Sequence, residues 1–225
     1  MQFKPHSLAI AAAIALGSAA IPAAAETFEM LSTAVPEFGT PPPSYGTVTL
    51  TQIGSRVDFS VALRSDLNFV TTGNHYVFSF NSIGVATNEI VNISSQSPGV
   101  LFAATGTGGG VTVVNPPFGT FTYGISCSFG CSNGTSGGGY ADPLTFSVLN
   151  STIDDFRRLS TGAGSLGPAY FAADVGGVVR NSPSFQFTGA IGATAVTPVP
   201  EPETYAMMLA GLGVLGFMAK RRKRV

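Results

Sequence analysis

Thr47-Val-Thr-Leu-Thr-Gln-Ile53 and Arg56-Val-Asp-Phe-Ser-Val-Ala-Leu63, separated only by Gly54-Ser55, alternate apolar and polar side chains through two successive runs. Period-two alternation puts Val48 and Leu50 on one face of the first run, with Gln52 in line. In the second run it puts Val57, Phe59, Val61 and Leu63 on one face. Gly54-Ser55 is a two-residue hairpin loop of the glycine-first kind, so the pair reads as an antiparallel hairpin with one face buried. Working outward, the same alternation predicts strands at His75–Asn81, Ile90–Ile93, Val100–Ala104, Val111–Val114, Thr120–Ile125, Pro143–Leu149, Ala169–Val175 and Phe185–Ala195, parted by Gly, Pro and Asn clusters. Short strands at regular intervals point to an all-β fold, an antiparallel two-sheet sandwich of jelly-roll type. Ser126–Ala141, dominated by Gly and Ser, reads as a surface loop. The one helical signal is Asn150–Leu159, with Ser151 as cap, Asp154 and Asp155 in the first turn, Arg157 and Arg158 in the last, and Ile153, Phe156 and Leu159 on one side.

The ends do not share this pattern. Lys4, the apolar run Leu8–Ala20 and the small residues Ile21-Pro-Ala-Ala-Ala25 ahead of Glu26 have the three-part organisation of a signal peptide, residues 1–25, cut between Ala25 and Glu26. At the other end, Val199-Pro200-Glu201-Pro202 precedes an apolar run from Tyr205 to Ala219 and a basic stop of Lys220, Arg221, Arg222, Lys223 and Arg224. The 14 uncharged residues from Ala206 to Ala219 cover about 21 Å as a helix against a hydrocarbon core of about 30 Å. The run is a short transmembrane helix, lengthened by Tyr205 at one headgroup layer and by snorkelling Lys and Arg at the other. The organisation is therefore a signal peptide (1–25), one β-sandwich ectodomain (26–197) and a C-terminal membrane segment (198–225).

Within the ectodomain ten acidic residues face five arginines and no lysine. Nucleic-acid binding needs clustered Lys and Arg to displace counterions from phosphates, so that class is excluded. Cys127 and Cys131, four residues apart, lie in a chain destined for an oxidising compartment and read as a small disulfide loop; zinc would need a second ligand pair, and no metal or cofactor is expected. Nucleophilic catalysis needs a base, and His75 is the one histidine left after removal of the leader; it reads as a structural residue at a strand end. Asp154-Asp155 is the one adjacent carboxylate pair, explained by helix capping, and the ectodomain is expected not to be an enzyme. With no Trp in the chain, Tyr123 and Tyr140, flanking the Gly/Ser loop, are the candidates for a shallow glycan site.

The tripartite tail resembles the PEP-CTERM sorting signal of Gram-negative bacteria: a Pro-Glu-Pro motif (Pro200, Glu201, Pro202), an apolar helix (Tyr205 to Ala219) and a basic end (Lys220 to Arg224). That resemblance implies recognition by exosortase, a membrane transpeptidase. It also implies transient membrane anchorage of the precursor, cutting near the motif, and delivery to the cell surface or extracellular matrix. The body is similar, on weaker motifs, to a recurring PEP-CTERM ectodomain through Thr47–Gln52, Gly73–Phe80, Pro143–Phe146 and Phe171–Val175. Two export signals around a β-rich body without a catalytic set predict a structural or adhesive protein of an exopolysaccharide or biofilm matrix. The alternatives are a weak carbohydrate-binding module using the tyrosines and, less favoured, a divergent carboxylate-dependent glycoside hydrolase.

Overall fold

The computed structural model describes residues 24–39, 44–73, 75–94, 101–106, 111–129, 131, 139–141, 143–178, 185–194 and 212. Among the described residues fourteen strands follow in chain order: β1 (Ala25–Met30), β2 (Ser32–Thr33), β3 (Gly46–Ile53), β4 (Arg56–Leu63), β5 (Leu67–Phe69), β6 (Phe78–Phe80), β7 (Ile90–Ser94), β8 (Leu101–Gly106), β9 (Val113–Val114), β10 (Thr120–Phe121), β11 (Tyr123–Phe129), β12 (Leu144–Leu149), β13 (Phe171–Val178) and β14 (Phe185–Ala193). They form a five-stranded sheet, β1-β3-β4-β12-β7, and a second sheet, β2-β14-β13-β6-β11-β8, in which β5 also pairs with β13. A small ribbon, β9-β10, stands apart from both. Every pairing is antiparallel.

The opening hairpin has the expected form. Gly54 adopts φ 61°, a turn conformation that β-branched neighbours avoid, and this sets the register Ile53↔Arg56 through Gly46↔Leu63. Val48, Leu50, Val57, Phe59 and Val61 are buried, while Leu63 is half-buried. Gly46 has no room for a side chain: a Cβ there would lie 2.6 Å from the Ala62 carbonyl oxygen and 2.8 Å from Met30 Cε. Gly46→Ala is expected to destabilise the fold by about 1–3 kcal/mol, read as a lower urea midpoint with an unchanged slope.

Phenylalanine joins the two sheets. Phe59 of β4 stacks on Phe146 of β12 with centroids 4.4 Å apart and meets Phe80 and Phe171 of the opposite sheet at 5.5 and 6.2 Å. Phe28 of β1 meets Phe171 edge-on at 4.8 Å. A second cluster, Val113, Phe118, Phe121, Ala169, Ala172 and Ala190, covers the other face of the second sheet under the β9-β10 ribbon. The central strand β13 is therefore buried on both faces. Between β4 and β13 the chain crosses from one sheet to the other several times, while β3-β4, β5-β6, β8-β11 and β13-β14 each stay within one sheet.

The structure corrects several sequence expectations. Asn150–Leu159 is not an α-helix but a single 3-10 turn, Ile153–Phe156. Its apolar residues recur at intervals of three, the 3-10 period, and Leu159 is 44% exposed. The cap is Thr152 rather than Ser151: the Asp155 carboxylate accepts from Thr152 N–H (2.7 Å) and from its hydroxyl (2.9 Å). Ser151 is instead buried, donating to the Val148 carbonyl. The run Thr120–Ile125 divides at Thr122, whose N–H and hydroxyl both donate to Asn81 Oδ1. Ser126–Ala141 is not wholly a loop, because β11 continues to Phe129 and Tyr140 forms a bridge with Phe69.

Candidate functional site

The polar heart of the body is a seam in the second sheet. One edge of β13 pairs first with β6 (Ala173↔Phe78) and then with β5 (Val175↔Phe69), so Asp174 faces the gap where one partner strand gives way to the other. Residues 70–73 and 75–77 lie outside β5 and β6, and their buried amide groups need acceptors inside the protein. Asp174 supplies them. Its carbonyl accepts from Val70 N–H at 3.0 Å, and its Oδ2 accepts from Thr72 N–H at 2.7 Å and from the Thr72 hydroxyl. His75 Nδ1 lies 3.0 Å from Thr72 Oγ1 and 3.7 Å from Asp174 Oδ2. Because the Thr72 hydroxyl gives its proton to the carboxylate, the short contact requires Nδ1–H of His75 as donor.

Asp174 is fully buried, and its Oδ1 has no hydrogen-bond partner, nor does the buried Thr71 Oγ1 in the same segment. Burial pushes the Asp174 carboxyl up to about 6, opposed by the two Thr72 hydrogen bonds and by His75. Thr, His and Asp thus meet, but not as a nucleophilic triad: the hydroxyl proton is directed to the acid rather than to an imidazole lone pair. The seam serves to hold segment 70–77. His75 was expected to be structural and takes part here. Asp174 and Thr72 were not anticipated as its partners, although Asp174 is the one charged residue in the run Ala169–Val178.

A second polar group lies where the body begins. Glu26 is 8% exposed, and its two carboxylate oxygens accept from Arg157 Nε at 2.9 and 3.2 Å. Arg157 Nη1 also bonds Asp154 at 2.5 Å. Gln52 completes the group: its Oε1 accepts from Ile153 N–H at 3.0 Å and its Nε2 donates to the Ser151 carbonyl at 3.0 Å, fixing the 3-10 turn to the hairpin. Beside them is a cavity of ≈330 Å³ lined in part by Ala24, Ala25, Glu26 and Asp154. Asp154 and Asp155 therefore have separate occupations, one on Arg157 and the other on Thr152. They are not a facing pair across a cleft, which a glycoside hydrolase requires.

Burial removes one of the two tyrosines from the glycan reading. Tyr140 is fully buried, paired through its backbone with Phe69, and Tyr123 stacks on Phe80 at 5.5 Å while its hydroxyl donates to the Val85 carbonyl. Tyr140 therefore offers no ring face to a sugar, while Tyr123 is half-buried with its hydroxyl already engaged. Cys127, in β11, and Cys131 are joined by a disulfide with Cα atoms 5.9 Å apart, and the Cys131 carbonyl accepts from Thr71 N–H at 2.7 Å beside the seam. Among the described residues no group of three or more His, Cys, Asp or Glu side chains is arranged to hold a metal.

Ala25 and Glu26, the expected leader junction, fall in β1, paired with Thr51 and Leu50. Residues 1–23, the motif at 199–202 and the basic stop at 220–224 lie outside the described residues, as does the apolar run 205–219 apart from Leu212. Among the described residues no helix is long and apolar enough to cross a membrane.

Residues 198–223 match the PEP-CTERM protein-sorting motif family. No curated protein and no solved structure matches the chain. The match coincides with the proline motif, apolar run and basic end set out above. It implies export, a membrane-anchored precursor and processing by exosortase.

Proposed function

We propose that this chain is a non-enzymatic exported protein whose β-sandwich is the cargo of its PEP-CTERM signal and serves as a structural or adhesive component of an extracellular polysaccharide matrix. Residues 1–25 act as the leader, and 205–219 hold the precursor in the membrane until exosortase acts near Pro200-Glu201-Pro202. The observation that carries this reading is the sorting motif at 198–223, separated from the last described strand only by residues 194–197. Delivery then places a folded, mildly acidic body at the surface, stabilised by a phenylalanine core and by a disulfide suited to an oxidising compartment.

The test is mass spectrometry of the protein recovered from the cell surface and medium. Chains ending near the motif are the expected product. Replacing Pro200, Glu201 and Pro202 together by alanine is expected to leave the protein uncut and cell-associated, with at least tenfold less reaching the medium. An intact Lys220–Arg224 end on every recovered molecule would identify a plain anchor instead. Retention of the mature body on the organism's own purified polysaccharide, against a bovine serum albumin control, tests the adhesive role.

A further inference from the structure

The leader junction sits inside the folded body. Ala25 pairs with Thr51 and Glu26 with Leu50 in β1, and the Ala24 carbonyl accepts from Gln52 N–H at 2.8 Å, so the hydrogen-bonded pairing extends two residues into the expected leader. On the far side of the junction Glu26 is nearly buried and held by Arg157 through both carboxylate oxygens. Two residues further, Phe28 is fully buried between the rings of Tyr170 (5.5 Å) and Phe171 (4.8 Å).

We infer that leader removal and closure of the first sheet exclude one another: the Ala25–Glu26 peptide is open to a leader peptidase only before β1 has docked. This rests on the reading of residues 1–25 as a leader. Hydrolysis adds hydroxyl to the Ala25 carbonyl carbon and a proton to the Glu26 nitrogen. To do so a peptidase must hold several residues on each side of that bond in its own extended groove. In the folded chain those residues already belong to β3 through the Ala24 and Ala25 backbone, to Arg157 through Glu26 and to the core through Phe28. Cleavage therefore needs β1 to lift out, and its rate follows the population of that opened form. A precursor that folds before it is cut keeps its leader and stays tethered to the membrane at both ends, with its sandwich closed between them.

The experiment uses the full chain in detergent micelles with purified leader peptidase, scored by mass spectrometry of the new amino terminus. The native chain is compared with Phe59→Asp, whose buried charge unfolds the body, a state checked by far-ultraviolet circular dichroism and amide hydrogen exchange. The unfolded chain is expected to be cut between Ala25 and Glu26 at least tenfold faster than the native one. Arg157→Ala, which frees Glu26, is expected to speed cutting of the native chain several-fold while leaving the rate in the Phe59→Asp background unchanged. Equal rates for native and unfolded chains would overturn the inference while leaving the leader assignment standing. An unfolded chain that is not cut after Ala25 would overturn the leader assignment and the inference with it.

Discussion

Replacing Phe59 by alanine is expected to cost about 3–5 kcal/mol, the range for removing a large aromatic from a packed core. Domains of this size are stable by about 5–15 kcal/mol in total. Phe59 is singled out because it touches both sheets and the 3-10 turn at once: Phe146 beside it in its own sheet, Phe80 and Phe171 across the sandwich, and Phe156 of the 3-10 turn edge-on at 4.8 Å. Its loss leaves a void that none of these neighbours can fill without leaving another partner. Urea unfolding followed by circular dichroism measures the effect, with Ile53→Ala, on a side chain 45% exposed, as the control expected to move stability by less than about 1 kcal/mol. A Phe59→Ala midpoint shift no larger than the control's would show that the ring cluster is not the joint between the sheets.

Asp174→Asn is expected to raise stability at neutral pH and to flatten its dependence on pH. The carboxyl titrates near 6 in the folded protein and near 3.9 in an unfolded chain. Between those values the native state holds a proton that the unfolded state has lost, so unfolding releases it and stability falls as pH rises. The wild-type protein is thus favoured most by this residue below about pH 4 and progressively less up to about pH 6, with a difference on the order of 2–3 kcal/mol. Above that the contribution is constant. Asparagine keeps an oxygen for the Thr72 N–H and hydroxyl and never carries the charge. His75 is the titratable group facing the carboxylate among the described residues, so the pair His75→Gln and Asp174→Asn separates its share. Stability curves from pH 4 to 8 provide the measurement. A variant as steep as wild type over pH 4–6 would show that the slope comes from elsewhere.

Much of the sandwich was legible because its sheets bury one side of each outer strand, and period-two alternation records that directly. Arg56–Leu63 carries the pattern without a break and is recovered to the residue as β4. Legibility failed where tertiary context divides or overrides a run. The stretch His75–Asn81 shrinks to Phe78–Phe80 because residues 75–77 lie in the seam at Asp174, ahead of the strand. β5 went unseen because it is three residues long and gains its strand character only from its neighbours β13 and Tyr140. In the 150–159 segment, charges at both ends imitated a helix, yet the apolar spacing of three already favoured the tighter turn. Tyr140 was misplaced because the glycines before it dominate local composition, while the residue that decides its burial, Phe69, lies 71 positions away. The sorting motif was legible for the opposite reason: its order of proline, apolar and basic elements is a property of the sequence alone.

Thr194 is the last described residue ahead of the matched motif. β14 runs to Ala193, the Thr194 hydroxyl contacts that of Ser32 at 3.2 Å, and the matched motif opens at residue 198. Only residues 195–197 bridge the two, a leash of at most roughly 14 Å from Thr194 to the motif even at full stretch. A membrane enzyme that recognises the motif is therefore expected to meet the folded body within that reach, so that the body's outline, as well as the tail, bears on which active-site mouths can reach the chain.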